Sequence, residues 1–258
     1  MKRTERHHLK ENAVALSVAR AKEAFEQHQR RIVAGAIGVV LLGAAIGAFF
    51  MWRSRVDGQA RVALAEAMSV AEAPVVPPVP PAPADKAGAT PAAAPAPPPT
   101  GSYPSEQARL EAALAKFNAV AEQYRSTAAG IAARYHAASA LAALGRSRDA
   151  GARFKEVVEL DDSGLYGDMA RLGLASAQAA GGEYEAAVAG YRELSTRSGG
   201  NLPVDGILVQ MGRTLLMAGK ADEAARAFRR VVEEFPDSPY RTDAQRELDA
   251  IKLKGVPS

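Results

Sequence analysis

The sequence predicts an all-α protein in which a single N-terminal transmembrane helix is followed by an α-solenoid of paired helices. Two observations carry this prediction. Residues 32–52 run for 21 positions without a charged side chain. Residues 105–255 repeat a pattern of glycine, small residue and aromatic residue at an interval of 37 positions.

The chain begins with a basic arm. Residues 1–31 contain eight Lys or Arg against four Asp or Glu, whereas residues 105–258 contain twenty against twenty-one. The basic charge therefore belongs to the arm and not to the main domain, which argues against a nucleic-acid-binding protein. Apolar residues at helical spacing predict an amphipathic helix over residues 9–30. Such a helix would lie on anionic lipid, contact a cytoplasmic partner or remain solvated.

Residues 32–52 predict the membrane span. At about 1.5 Å per residue, this run is as long as a hydrocarbon core of about 30 Å. A cleaved signal peptide would have a shorter apolar run and a small-residue cleavage site close behind it. Here Met51, Trp52 and Arg53 follow, so we expect an anchor that is retained. The larger number of Lys and Arg before the span predicts a cytoplasmic N-terminus and a C-terminal domain across the membrane.

Within the span, Gly43 and Gly47 have the G-x-x-x-G spacing that lets two transmembrane helices approach closely. Small residues also occur in membrane helices for other reasons. Contact between two copies through these glycines is therefore one alternative, and the oligomeric state stays open.

Two segments separate the span from the repeats. Residues 55–73 have apolar residues along one side of a predicted helix. Residues 74–104 are rich in proline and alanine, and positions 74–99 hold eleven of the sixteen prolines. Such a composition opposes a packed core and favours extended backbone. The segment is either a disordered spacer or an insertion between two packed helices.

The repeat itself is most evident at three positions of each unit. A glycine would make the turn between paired helices, a small residue five positions later would let the helices approach, and an aromatic residue nine positions later would fill the gap to the next unit. A single pair cannot cover its own apolar face, so the pairs must stack. The three complete copies are Gly145, Ala150 and Phe154; Gly182, Ala187 and Tyr191; and Gly219, Ala224 and Phe228. A fourth copy without the glycine has Ala108, Ala113 and Phe117.

This pattern resembles tetratricopeptide repeats, which are typically 34 residues long. The resemblance implies that the first helix of each pair lines a concave groove. The residues that fall there are Tyr135, Met169, Leu172, Val209, Arg213, Leu216 and Met217. Such a wall suits a non-polar peptide or helix, and Arg213 suits a carboxylate. The alternative is that these side chains pack between helices.

The sequence departs from the tetratricopeptide pattern in two ways. Arg134, Arg171 and Leu208 occupy the position of an early aromatic residue, and Gln178 replaces an apolar residue. At the end of the chain, Ser238 is the predicted N-cap of a terminal capping helix.

The sequence does not indicate catalysis. His136 stands alone within a repeat and is expected to be packed, and Asp161 and Asp162 are expected to cap helices. Phosphate-binding loops, nucleophile elbows and His-Glu-x-x-His motifs do not occur, and the chain has no cysteine. We therefore expect a protein that is not an enzyme and that holds no cofactor or metal.

The order of parts, a basic arm, one anchor and a repeat domain, resembles the ancillary SecYEG translocon subunit family (YfgM-like). This resemblance implies a single-pass protein of the bacterial inner membrane with a periplasmic domain, in which residues 55–73 form the first solenoid helix. It also implies binding of translocon subunits, periplasmic chaperones or secreted clients. The stretch FRRVVEEFPDSPYRTDAQREL, residues 228–248, is equally similar to repeats of the cell-division coordinator CpoB and of outer-membrane assembly lipoproteins. An envelope-assembly or cell-division coordinator is therefore the alternative function.

Overall fold

The computed structural model describes residues 4–77, 101–197 and 200–254, with the backbone alone at residues 4–29, 32 and 254. Throughout these ranges the regular elements are helices, which confirms the all-α prediction. They are α1 (Thr4–Ala71), α2 (Glu106–Gln123), α3 (Ala128–Ala143), α4 (Ser147–Leu160), α5 (Leu165–Ala180), α6 (Tyr184–Thr196), α7 (Val204–Met217), α8 (Ala221–Glu234) and α9 (Arg241–Lys254). The apolar stripe predicted over residues 9–30 and most of the proline-rich segment lie outside the described residues.

The chain divides into two units, Met1–Val56 and Asp57–Ser258. The first unit holds the whole predicted span, residues 32–52. Within α1, the stretch Val33–Ala71 contains an 18-residue window with a mean hydropathy of 2.3, none of which is buried inside the protein. Large apolar side chains between Val33 and Trp52, including Phe50 and Trp52 themselves, are exposed. One helix is thus long and apolar enough to cross a membrane.

The second unit is a stack of helices in chain order. Each of the helices from α2 to α9 packs mainly on its neighbour in sequence, and α5 also contacts α3 and α7. Contacts between elements that are near neighbours in sequence are the mark of a solenoid, because each pair covers the apolar face of the next.

The core of this unit has two parts. The N-terminal cluster runs from the end of α1 to α5 and includes Ala67, Ala113, Phe117, Ala150 and Phe154. The C-terminal cluster runs from α5 to α9 and includes Tyr191, Leu208, Leu215, Phe228 and Leu248. The two clusters divide along α5, which contributes residues to both.

The three repeat glycines occupy equivalent corners. Gly145, Gly182 and Gly219 have φ of +74°, +82° and +76°, in the left-handed region that glycine adopts without strain. Each donates its N–H to the carbonyl three residues earlier, and the next residue donates to the carbonyl five residues before it. This is the Schellman end of a helix, repeated at the predicted interval.

The small and aromatic positions are equivalent as well. Ala150, Ala187 and Ala224 are completely buried, and Phe154, Tyr191 and Phe228 are at most 3% exposed. In the fourth copy, Ala113 and Phe117 are buried in the same way. Ala108 lies inside the first turn of α2, so no glycine corner is needed there.

The end of α1 packs on α2. Ala60 and Ala67 are completely buried, and Glu66 forms an ion pair with Lys116 at 2.7 Å. Beyond α1, the N–H of Val76 donates to the carbonyl of Tyr103 at 2.9 Å, and the N–H of Tyr103 donates to the carbonyl of Pro74 at 3.0 Å. The backbone on the two sides of residues 78–100 is therefore joined by hydrogen bonds.

The terminal helix begins later than expected. The prediction placed its N-cap at Ser238, but α9 starts at Arg241. The Ser238 hydroxyl accepts a hydrogen bond from the N–H of Tyr240 at 3.1 Å and donates one to Oδ2 of Asp205 at 2.6 Å. Ser238 thus accepts the N–H two residues on, as an N-cap side chain does, and it holds the loop before α9 against the start of α7, although α9 begins at Arg241.

Candidate functional site: the first-helix groove

The predicted groove residues differ in exposure. Met217 is 55% exposed, and the Arg213 side chain is 46% exposed. Met169, Leu172 and Leu216 are half-buried, and the last two pack against the C-terminal cluster. These side chains offer part of their surface to a ligand, and their role in binding stays a prediction.

Val209 is a correction to the predicted groove. It is only 2% exposed and belongs to the C-terminal cluster. Its neighbours Ile207 and Leu208 are equally buried, so this stretch of α7 is surrounded by core. Val209 therefore packs between helices, which is the alternative that the sequence had left open.

Tyr135 lies in an aromatic cluster. Its ring centroid is 5.8 Å from that of Phe154, 5.6 Å from that of Tyr166 and 5.4 Å from that of His136. The His136 ring stacks on Phe117 at 5.3 Å, so it is packed, as expected. Burial lowers the pKa of His136, which favours a neutral ring in this apolar setting. Tyr135 is thus held within an aromatic cluster, and its contribution to a groove stays a prediction.

Arg213 is partly engaged within the protein. Its Nη2 lies 3.9 Å from Oδ2 of Asp243, and the same carboxylate pairs with Arg246. Two guanidinium groups share one carboxylate, so positive charge remains at this end of the groove.

Two arginines that depart from the family pattern hold the loops between repeats. Arg134 Nη1 donates to the carbonyl of Arg125 at 3.4 Å, and Arg171 Nη1 donates to the carbonyl of Asp162 at 2.7 Å. Donors and acceptors are each 37 residues apart. The position of the missing aromatic residue therefore has a structural role of its own, which sequence reasoning did not find.

Carboxylates at the start of first helices hold the following loop. Asp168 Oδ2 accepts hydrogen bonds from the N–H and Nδ2 of Asn201 at 3.1 and 2.8 Å. The Asp205–Ser238 hydrogen bond is its counterpart 37 residues later. Sequence reasoning missed this clamp too, although a signal exists, because Asp recurs at one position of the repeat and Asn or Ser at the other.

Asp168 is also the centre of a charged network. It is 3% exposed, and its Oδ1 lies 3.5 Å from Arg171 Nη1 and 3.8 Å from Arg197 Nε. Burial pushes the pKa of this carboxyl upward, but the Asn201 hydrogen bonds and the two arginines outweigh it and hold the pKa below 3.8. The network joins α5 to the loop before α7.

The predicted contact glycines of the span lie in open surroundings. A Cβ built on Gly43 or Gly47 would meet no atom outside its own helix within 4 Å. Their contact with a second copy stays a prediction. Among the described residues there is no group of three His, Asp or Glu side chains placed to hold a metal ion.

Comparison with known proteins supports the fold. A model of the tetratricopeptide repeat family matches residues 207–238. The chain contains tetratricopeptide-type repeats. Crystallised TPR-like repeats from a Podosopora anserina protein named as a kinesin light chain are 18% identical, with a TM-score of 0.50 over 56% of this chain and 78% of that one. This likeness shows the fold, and the predicted solenoid is confirmed.

A second solved structure is less similar. The type III secretion chaperone SycD of Yersinia enterocolitica, in complex with a peptide of the translocator YopD, is 24% identical. Its TM-score is 0.41, over 48% of this chain and 92% of that one. No curated protein matches the chain. Repeats of this kind typically act as non-enzymatic platforms that bind other proteins on an extended surface.

Proposed function

We propose that this protein is a membrane-anchored scaffold that binds other proteins and catalyses no reaction. The observation that carries the proposal is a stack of tetratricopeptide-type helix pairs in the same chain as an exposed apolar helix long enough to cross a membrane. The helix would fix the location, and the first helices of the pairs would supply the binding surface.

The groove favours a partner with apolar side chains. Met217 and Met169 are accessible to different degrees, and methionine adapts to varied shapes because it is unbranched and polarisable. The aromatic wall around Tyr135 adds a rigid apolar surface at one end, and Arg213 adds positive charge at the other. An apolar peptide or amphipathic helix with an acidic residue near one end fits this arrangement.

The finer proposal is an accessory factor of the Sec translocon in a bacterial inner membrane. It rests on the order of arm, span and repeats. The partners would be translocon subunits, periplasmic chaperones or secreted clients, with the N-terminus in the cytoplasm and the repeats in the periplasm.

Site-specific crosslinking in native membranes tests the partner. A photo-reactive residue at Met217 should capture translocon subunits, chaperones or secreted clients. The same residue at Leu160, which is 50% exposed at the end of α4, is the matched control and should capture them weakly. Equal capture at both positions, or persistent absence of these partners at Met217, would contradict the proposal. Enrichment of a fluorescent fusion at the division septum would favour the cell-division alternative.

Thiol labelling tests the orientation, because the chain has no cysteine of its own. Single variants Thr4→Cys and Ser163→Cys place a thiol before and after the span. In intact cells with a permeable outer membrane, an impermeant maleimide should label Ser163→Cys and spare Thr4→Cys until the cells are lysed. The reverse pattern would overturn the orientation.

For the proline-rich segment, we favour an insertion over a spacer. Support comes from the buried Ala67, the Glu66–Lys116 ion pair and the backbone bonds between Val76 and Tyr103. An Ala67→Arg variant should then lower the melting temperature of the repeats, because it puts a large charged side chain into the N-terminal cluster. Val62→Arg, on an exposed position of the same helix, is the control. An unchanged melting temperature in Ala67→Arg would favour the spacer.

A further inference from the structure

A cavity of about 670 Å³ lies between the first and second complete repeats. Leu174 and Gln178 of α5 line it, and its charged lining residues are Arg146, Arg148, Asp149, Lys155 and Glu183. Arg146 and Asp149 pair with each other at 2.6 Å, which leaves Arg148 and Lys155 against Glu183. None of the predicted groove residues lines it. It is therefore a separate feature of the solenoid.

The cavity lies where the repeat pattern loses two core side chains. Gly151 and Gln178 stand 37 residues before Val188 and Leu215. Val188 and Leu215 are 4% and 2% exposed and fill the corresponding place between the second and third repeats. Gly151 leaves the place of the Val188 side chain empty, and Gln178 puts a polar amide where Leu215 is apolar, so the first interface lacks one apolar side chain and gains one polar group.

Two ion pairs cross the second interface, and within the described part of the chain the equivalent positions of the first interface form none. Lys220 pairs with Glu185 at 2.6 Å, and Arg192 pairs with Glu223 at 3.6 Å. Their counterparts 37 residues earlier are Glu183 with Arg148, and Lys155 with Ala186. The first couple keeps opposite charges with their positions exchanged but does not meet within 4.0 Å, and the second has lost its acid. Among the described residues, neither Arg148 nor Lys155 has a carboxylate within 4.0 Å.

We propose that this cavity binds an acidic, extended peptide segment of a partner protein. Arg148 and Lys155 are seven residues apart, so they lie on the same side of α4 with their Cα atoms about 10 Å apart. Two carboxylates that are two to four residues apart on an extended chain are separated by about 7 to 14 Å and reach both cations. Charge-assisted hydrogen bonds to the two side chains would hold the segment.

Two further polar groups of the lining favour a peptide over a simple anion. The Gln178 amide can donate to a peptide carbonyl and accept from a peptide N–H. The Glu183 carboxylate can accept only, so it suits backbone N–H groups, which a phosphate or a lipid phosphate group lacks. The site does not depend on what occupies the groove.

Fluorescence anisotropy tests the site with the full chain in a neutral detergent. The probe is a fluorescein-labelled Gly/Ser peptide with glutamate at alternate positions, and the matched peptide carries glutamine instead. The glutamate peptide should bind, with an affinity that falls as salt is added, and the glutamine peptide should bind at least about tenfold more weakly. Equal binding of the two peptides would overturn the proposal.

Two sets of variants locate the binding. Lys155→Gln should weaken the glutamate peptide about three- to fivefold, as expected for loss of one partly exposed charge contact. Arg192→Gln, at the equivalent position of the next repeat, should leave the affinity unchanged. If the two variants behave alike, the peptide does not bind in this cavity.

The combined substitution Gly151→Val and Gln178→Leu narrows the cavity with the side chains of the next interface and removes the Gln178 amide. A Cβ on Gly151 would lie 3.6 Å from Leu174 Cδ1, an ordinary contact. The variant should keep its melting temperature and bind the glutamate peptide more weakly. Unchanged affinity in this folded variant, or displacement of the probe by phosphatidylglycerol vesicles or inorganic phosphate and not by unlabelled peptide, would overturn the assignment. Crosslinking at Met217 is unaffected in either case, so this test is separate from that of the scaffold.

Discussion

The two clusters of the solenoid core build the same helix pairs from different side chains. The N-terminal cluster is packed mainly with alanine around Phe117 and Phe154. The C-terminal cluster contains larger aliphatic residues such as Leu208, Leu215 and Val231 around Tyr191 and Phe228. The glycine corners and buried small residues are the same in both halves. The glycine and small-residue positions thus set the backbone geometry of both halves, whereas the buried side chains that hold the helices together differ.

The difference is clearest at one position of the first helix. Leu208 is completely buried in the C-terminal cluster. Its counterparts Arg134 and Arg171 instead reach back to carbonyls of the preceding loop. Alanine packing buries little apolar area per residue. The hydrogen bonds from Arg134 and Arg171 to the preceding loops supply part of the stabilisation that larger side chains supply in the C-terminal cluster. The family model matches residues 207–238, within the half that has the larger side chains.

The largest expected effect comes from Leu208. Leu208→Ala should lower the free energy of unfolding by about 2 to 5 kcal/mol, because it removes a fully buried side chain and leaves a cavity. Arg171→Ala, at the equivalent position, should cost about 1 to 3 kcal/mol, because it removes the hydrogen bonds to Asp162 and one of the two arginines beside the buried Asp168 carboxylate. Urea unfolding of the full chain in detergent, followed by far-UV circular dichroism, measures both. A cost for Arg171→Ala that equals or exceeds that of Leu208→Ala would contradict the contrast between the halves.

Much of this fold could be predicted because a 37-residue register is visible in single residues. The corners at Gly145, Gly182 and Gly219 follow from the spacing, since only a tight turn requires glycine at that interval. Burial of Val209 could not be predicted, because the position of a residue within the repeat does not show whether neighbouring helices pack against it. The cavity beside Gln178 depends on which side chains face each other across two helices, and spacing along one chain does not give that.

A smaller effect is expected from Asp168, whose clamp secures the loop before α7. The pKa of this carboxyl is held below 3.8 in the folded state, so its contribution to stability is present above the pKa of the unfolded chain. That contribution is lost as the pH falls through the folded pKa. Asp168→Asn should cost about 1 to 3 kcal/mol at neutral pH, and the difference from the parent chain should shrink below about pH 4.

Asp205→Asn is the matched control, since Asp205 makes the equivalent bond to Ser238 but is only half-buried. Its cost should be the smaller of the two. Thermal unfolding between pH 3 and pH 7 measures both variants. A cost for Asp168→Asn that is independent of pH would show that the charge of Asp168 does not contribute.

The smallest effects are expected at the glycine corners, where the two halves should agree. Gly145→Ala and Gly219→Ala each place a Cβ on a residue with φ of +74° or +76°, which costs about 1 to 2 kcal/mol. A Cβ at either position would meet no atom within 4 Å, so the cost comes from the backbone and not from packing. Gly58→Ala, inside α1 and equally open, is the control and should stabilise the chain by up to about 1 kcal/mol. Unequal costs at Gly145 and Gly219 in the same urea titration would mean that side-chain packing around each glycine, and not backbone conformation alone, sets the cost. The two corners would then not be energetically equivalent.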